Sequence, residues 1–206
     1  MTPCSAKSIL ARPGGSPPDL FSHLILFRDS TMSWPRFVLL ASLIVLGVVS
    51  QLLPHPPNVT AVGALALFAG AMFRDRRIAF ALPLSTLLLS DLTRGLHVLI
   101  PVVYGSFAVS VLIGRWLGTS RTFVGVSLAA LLGAIQFFAV TNFAIWLLYY
   151  PPTWEGFSEC YALAIPYFRN SLMGDAVFTA GLFGSVWVAE DVLPAVRVRI
   201  PATLTA

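Results

Sequence analysis

Long apolar runs separated by short polar segments dominate the chain. A helix that crosses the hydrocarbon core of a membrane needs about 20 residues. The second and third runs have only about fifteen residues each, whereas the others meet or approach the spanning length. The runs cover about residues 37–53, 59–73, 78–92, 98–118, 122–148 and 171–189. This pattern predicts an all-α integral membrane protein.

Two arrangements fit the short second and third runs: both cross the membrane, or together they form a re-entrant hairpin. The basic residues decide between them, because cytoplasmic loops carry an excess of Lys and Arg. Six crossings with both termini inside put eleven of the thirteen Lys and Arg residues in the cytoplasm and leave only Arg94 and Arg169 outside. A re-entrant hairpin would place the basic turn 73–77 outside. We therefore predict six transmembrane helices in the bacterial cytoplasmic (inner) membrane.

Composition supports lipid as the main solvent. The chain is 57% hydrophobic and 11% charged, with a mean hydropathy of +0.82, whereas soluble domains carry roughly 25% charged residues. The net charge of +4 is spread in small groups between apolar runs, which does not form the basic stripe of a nucleic-acid-binding protein. The predicted partner is the lipid bilayer, and no nucleic acid.

Three regions follow from the same pattern. Residues 1–35 are rich in Pro, Gly and Ser, and we predict that they form a disordered cytoplasmic extension. The alternative is an over-extended gene model, since Met32 is a natural start. Residues 36–192 form the six-helix transmembrane domain. Residues 193–206 form a cytoplasmic tail.

Polar residues collect in two short outer connections, 53–58 and 90–97. Asn58, Asp91, Arg94 and His97 are candidate ligand-binding residues there. Asp91 and Arg94 are three residues apart, near enough to pair. His97 and Tyr104 are seven apart and share a face of the predicted fourth helix. A local ion pair and an interfacial hydrogen bond are the structural alternatives.

The fifth and sixth runs carry buried polar candidates. Asn142, Trp146 and Tyr149 fall on one face of the fifth helix. The sixth helix is predicted to begin at Asn170 as its N-cap, which puts Ser171, Asp175 and Thr179 in a polar stripe. Asp175 is the one carboxylate expected within the membrane thickness, where a charge needs a partner or a task. Gln136 is assigned to helix packing.

The stretch YYPPTWEGFSECYALAIPYFRN, residues 149–170, is predicted to be the one long outer loop and a lid over the site. Its candidate ligand contacts are Trp154, Glu155, Glu159 and Tyr161. An interfacial aromatic belt is the competing interpretation. An external metal site from His55, His97 and Cys160 is a weaker hypothesis, because their spacing is no recognised ligand pattern. No catalytic or phosphate-binding motif is present, so we predict neither an enzyme nor a cofactor.

Small residues recur every four positions in three helices, as close helix contacts require. The three stripes are Ala66/Gly70, Gly125/Ala129/Gly133 and Gly181/Ser185/Ala189. We interpret them as contacts within the bundle.

The segments LPHPPNVTAVGALALFAGAMF, ALPLSTLLLSDLTRG, FFAVTNFAIWL and YPPTWEGFSECYALAIPYF resemble a family of bacterial membrane proteins of unknown function. The resemblance covers about residues 36–189. The six short helices with polar outer loops are also distantly similar to the substrate-binding S components of energy-coupling-factor transporters. That similarity implies capture of a vitamin-like molecule from outside, with a membrane coupling protein and ATPases as partners. The first helix has Ala41, Val45 and Val49 where S components often carry an Ala-xxx-Ala docking motif.

Small-molecule capture is the function these observations favour. The predicted site combines Asn58, Asp91, Arg94, His97 and Tyr104 with Asn142, Trp146, Asp175 and the residues of the predicted lid. A structural subunit that docks a periplasmic partner is the first alternative, and an intramembrane enzyme using Asp175 or Glu159 is the second.

Overall fold

Six α-helices make up the described part of the chain. The computed structural model describes residues 34–52, 54, 58–118 and 121–192, and no β-strand occurs within these ranges. The helices are α1 Trp34–Leu52, α2 Val62–Met72, α3 Arg76–Arg94, α4 Ile100–Leu117, α5 Phe123–Tyr149 and α6 Trp154–Val192. The predicted all-α fold is confirmed. The N-terminal extension up to residue 33 and the tail from residue 193 lie outside the described residues.

Helix α2 occupies the centre of the bundle. Eight of its eleven residues are buried, and α3, α4, α5 and α6 all pack against it. Its sequence, VGALALFAGAM, suits this position because small and apolar side chains around the whole circumference permit close packing on every side. At 1.5 Å per residue the helix is only about 16 Å long. Residues 58–61, which precede it, are not helical, and Asn58 has a positive φ of 66°.

Close backbone contact joins α2 to α4. A Cβ atom at Gly70 would overlap the Val111 carbonyl oxygen, and one at Gly114 would overlap the Leu67 carbonyl oxygen. The two helices therefore cross with glycine on each side. The Ala66/Gly70 stripe acts within the bundle as predicted, but Gly114, its counterpart, was missed.

The other two stripes differ from each other. On α5, Ala129 is buried and Gly133 faces the Ser110 hydroxyl across the contact with α4. On α6, a Cβ at Gly181 would meet nothing within 4 Å. The prediction that Gly181 makes a close helix contact within this chain is therefore wrong, because that side of α6 faces outward.

Local sequence signals set several helix ends. The Asp75 side chain accepts a hydrogen bond from the Arg77 backbone N–H at 2.8 Å and caps α3. The Thr122 hydroxyl accepts one from the Gly125 N–H at 3.1 Å and caps α5. Gly95 follows α3 with a φ of 101°, a conformation that glycine adopts without steric cost.

Helix α6 begins at Trp154 rather than at Asn170, so the prediction of a long outer loop is wrong. The connection between α5 and α6 is limited to about residues 150–153. Thr153 caps α6 by accepting a hydrogen bond from the Gly156 N–H at 3.2 Å. Pro166 lies inside the helix, where it removes a single backbone donor. The apolar face of α5 supplies the packing partner that lets this polar-looking stretch remain helical.

Among the described residues, three helices are long and apolar enough to cross a membrane: Ile100–Leu117, Phe123–Tyr149 and Trp154–Val188. Two further apolar helical stretches, Leu40–Leu52 and Val62–Met72, are shorter. Large apolar side chains such as Leu128, Phe143 and Val177 are exposed on the surface of the bundle. Many exposed large apolar side chains are typical of a lipid or partner contact, so the architecture fits a membrane protein.

Candidate functional site

A cavity of about 400 Å³ lies between the start of α2, the last turns of α3 and the facing sides of α4, α5 and α6. Its volume is within the range of small-molecule pockets. Apolar side chains such as Leu67, Val103 and Phe137 form much of its wall. The polar residues that line it are Gln51, Asn58, Thr60, Asp91, Arg94, His97, Ser110, Ser171, Asp175 and Thr179. We call this space the polar cavity.

Five residues predicted from sequence line the polar cavity together: Asn58, Asp91, Arg94, His97 and Asp175. The first four come from the ends of helices and the two connections 53–58 and 95–99, and Asp175 comes from the middle of α6. Sequence separations of more than eighty residues are thus closed by the fold. The site roles of these residues remain predictions.

Asp91 is held by Tyr104 rather than by Arg94. The Tyr104 hydroxyl donates a hydrogen bond to Asp91 Oδ2 at 3.0 Å, and Asp91 is only 8% exposed. The Arg94 guanidinium instead donates to the backbone carbonyl of Gln51. The expected ion pair between Asp91 and Arg94 is therefore replaced by two separate contacts, because each side chain meets a partner from another helix.

His97 lies before α4, not on it. The helix begins at Ile100, whose N–H donates to the His97 carbonyl oxygen at 3.2 Å. The prediction that His97 and Tyr104 share a helical face is wrong, since the turn that opens α4 starts three residues later. His97 is exposed and lines the polar cavity. Tyr104 does not line that cavity, but its hydroxyl bonds to Asp91, which does.

Asp175 faces the N-terminal turn of α2. A Cβ at Gly63 would overlap its Oδ1 atom, and the backbone N–H of Ala64 interacts with the carboxylate. No side chain caps α2 from its own N-cap, Ala61. The carboxylate therefore satisfies N–H groups that have no partner within α2, and it meets the positive end of that helix dipole. Asp175 lies far from the N-terminus of its own helix, because α6 begins at Trp154.

Thr179 lies one turn beyond Asp175 on α6 and is 5% exposed. Its Oγ1 atom is buried without a hydrogen-bond partner among the described residues, and it lines the polar cavity. A buried hydroxyl without a partner costs free energy. Thr179 therefore offers a hydrogen bond to a molecule in the cavity.

Gln136 has partners within the bundle. Its side-chain amide donates to the Ser106 carbonyl at 2.9 Å and to the Ser110 hydroxyl at 3.1 Å, in keeping with a packing role.

A second cavity, of about 380 Å³, lies between the C-terminal half of α5, the N-terminal half of α6 and the start of α4. Most of its wall is apolar or aromatic, including Leu99, Phe138, Ile145, Leu163 and Phe168. We call it the apolar cavity. Asn142, a predicted site residue, lines this cavity and not the polar one.

The aromatic residues of the predicted lid form a cluster between α5 and α6. Phe157 is at its centre, with ring centroids 5.4 Å from Trp146, 5.4 Å from Trp154 and 4.5 Å from Tyr161. The Trp146 Nε1–H donates to the Pro151 carbonyl at 3.0 Å, and the Tyr161 hydroxyl donates to the Ala139 carbonyl at 2.7 Å. These side chains hold the two helices together and line neither cavity.

Glu155 and Glu159 are exposed on the first turns of α6 and also line neither cavity. Within the described ranges no three His, Cys, Asp or Glu side chains come together as a metal site requires, and His55 lies outside those ranges. Sequence reasoning missed Gly63 as a cavity residue. The feature that could have indicated it is a glycine in the first turn of a helix composed mainly of alanine and leucine.

The chain belongs to a family of unknown function (DUF6580), whose sequence profile matches residues 31–196. No curated protein and no solved structure matches the chain. The predicted membership of a family without an assigned function is confirmed.

Proposed function

We propose that this member of the DUF6580 family captures a small molecule from the outer side of the bacterial inner membrane, as the substrate-binding subunit of an uptake transporter. The observation that carries the proposal is the polar cavity. It combines an apolar wall with Asp91 and Arg94 from α3 and Asp175 from α6, two helices distant in sequence. An apolar pocket with a few convergent polar groups is the usual form of a small-molecule site.

Six crossings with both termini in the cytoplasm complete this proposal. Helix α2 is too short to cross alone, but non-helical backbone is tolerated at membrane depth where it lines a cavity inside the protein. Asn58 and Thr60, which precede α2, line the polar cavity. The non-helical residues 58–61 and α2 together then cross the membrane, and the positive-inside rule sets the orientation.

In the proposed orientation, the part of the polar cavity lined by Asn58, Arg94 and His97 is on the outer side of the membrane. These three residues are exposed, whereas Asp91 and Thr179 are buried. A ligand would therefore enter past the exposed residues and reach the buried ones. Release to the inside needs an energy source from other chains, which is why we propose a membrane coupling protein with ATPases as partners.

Native mass spectrometry of the protein purified from its own membranes tests capture directly. We expect a bound small molecule on the wild-type protein and on Glu155→Gln, whose side chain is exposed and outside both cavities. Asp91→Asn, which keeps the side-chain volume, should lose the bound mass while keeping the same size-exclusion profile.

Two results would contradict capture in the polar cavity. One is a bound mass that survives in Asp91→Asn, which would place the ligand outside the polar cavity. The other is a protein without any small molecule that copurifies with a stoichiometric protein partner. That second result would support a structural or assembly subunit.

A further inference from the structure

The polar and apolar cavities adjoin each other. Four residues line both of them: Asn58, Val103, Phe137 and Ser171. Their volumes of about 400 and 380 Å³ therefore lie on two sides of one ring of side chains contributed by α4, α5, α6 and the segment before α2. A molecule longer than either cavity can extend across this junction.

Among the described residues, the apolar cavity has no charged side chain in its lining, and three of its polar side chains bond to backbone. The Asn142 Nδ2–H donates to the Phe138 carbonyl at 2.8 Å, and the Thr141 hydroxyl donates to the Phe137 carbonyl at 2.7 Å. The Cys160 thiol contacts the Asn142 carbonyl oxygen at 3.6 Å. These side chains bond to backbone of the α5–α6 pair, so the cavity presents mainly apolar surface to a ligand.

The polar cavity has the opposite character, and its charges are unbalanced. Two carboxylates, Asp91 and Asp175, line it together with one guanidinium, Arg94. Asp175 already faces the positive end of α2. Asp91 is buried, and among the described residues its side chain bonds only to the neutral hydroxyl of Tyr104. A buried carboxylate without a cationic partner favours a ligand that brings a positive charge.

We propose that the ligand is an amphipathic amine, with its protonated nitrogen on Asp91 and its apolar body in the apolar cavity. This inference rests on the proposed function and names its ligand class. Thr179 adds a hydrogen-bonding group at the end of the polar cavity. Phe137 and Val103 at the junction select for a slender apolar body between the two parts.

Cys160 provides a native reporter because it lines the apolar cavity and the only other cysteine is Cys4. The experiment measures the rate at which N-ethylmaleimide alkylates Cys160 in full-length Cys4→Ser protein. Three water-soluble probes are compared: phenethylamine, its acid counterpart 3-phenylpropionate, and ethylamine, which has the amine without the apolar body.

We expect only phenethylamine to protect the thiol. At about ten times its dissociation constant it should slow alkylation about tenfold by mass action. Asp91→Asn removes a charge-assisted hydrogen bond and weakens binding about tenfold or more. Protection at the same concentration should then fall to about twofold or less.

Equal rates with all three probes would overturn the amine assignment, and so would better protection by 3-phenylpropionate. Protection by ethylamine equal to that by phenethylamine would show that the apolar cavity is not used. Full protection of Cys160 in Asp91→Asn would show that Asp91 does not bind the protonated nitrogen of the ligand. Each comparison among probes uses the Cys4→Ser protein alone and does not depend on the folding of a site variant. If a copurified small molecule is found while these comparisons fail, capture stands and the ligand class falls.

Discussion

Replacing Gly114 by alanine tests whether the contact between α2 and α4 positions the wall of the polar cavity. A methyl group there would overlap the Leu67 carbonyl oxygen and stand 3.0 Å from the Leu67 carbonyl carbon and 3.1 Å from the Ala71 nitrogen. Ordinary contacts of a Cβ atom begin at about 3.4 Å. All three neighbours are backbone atoms, so α2 and α4 must separate rather than rearrange a side chain.

The size of the effect follows from two opposing contributions. Overpacking of a close contact costs about 1–3 kcal/mol, and the upper end applies because α2 is enclosed by α3, α5 and α6. Alanine favours the helix over glycine by about 1 kcal/mol. We expect a net loss of about 2 kcal/mol, which lowers the melting temperature by roughly 4–8 °C for a chain of this size.

Gly105→Ala is the matched control on the same helix, because a Cβ there would meet nothing within 4 Å. It should melt at the wild-type temperature or a few degrees higher. Thermal denaturation of both variants in the same detergent, followed by loss of the monodisperse size-exclusion peak, makes the comparison. A Gly114→Ala protein as stable as Gly105→Ala would refute the glycine-mediated crossing.

Three further substitutions test the site and the core. Asp175→Ala removes the acceptor that meets the Ala64 N–H at the start of α2, so the unfolding free energy should fall by about 1–2 kcal/mol, measured as a lower melting temperature; an unchanged value would deny the capping role. Tyr104→Phe removes a hydrogen bond to a buried carboxylate, which costs about 1.5–3 kcal/mol, yet phenethylamine should still protect Cys160. Phe183→Ala removes a buried ring whose centroid is 5.3 Å from that of Phe68; a loss of about 3–5 kcal/mol should reduce the yield of monodisperse protein, whereas exposed Val177→Ala should not.

The first five helices could be located from the sequence because apolar run length and turn residues act locally. Asp75, Gly95 and Thr122 all stand at helix boundaries, as their types predict. The start of α6 could not be located in this way. Pro166 and the polar residues before it favour a loop by local preference, but packing against α5 stabilises the helix through them.

The sequence predicted some of the polar residues that line one site. The predicted alternation of crossings puts the connections 53–58 and 90–97 at the same end of the bundle, and Asn58, Asp91 and Arg94 line one cavity in the structure. Trp154 and Tyr161 were assigned to the same site on the assumption of a lid. They instead pack on Phe157 of the same helix, since α6 is continuous through this stretch.

The sequence by itself determined that the chain suits a lipid environment, that its fold is all-α and which polar residues are candidates. Apolar runs and isolated polar side chains show this because each is a property of one short segment of the chain. Only the tertiary structure decided which partner each polar group takes. Tyr104 reaches Asp91, and Asp175 reaches the first turn of α2 at Gly63. These pairings depend on how the helices are rotated and how closely they approach, and that is set by packing around α2 rather than by any local pattern.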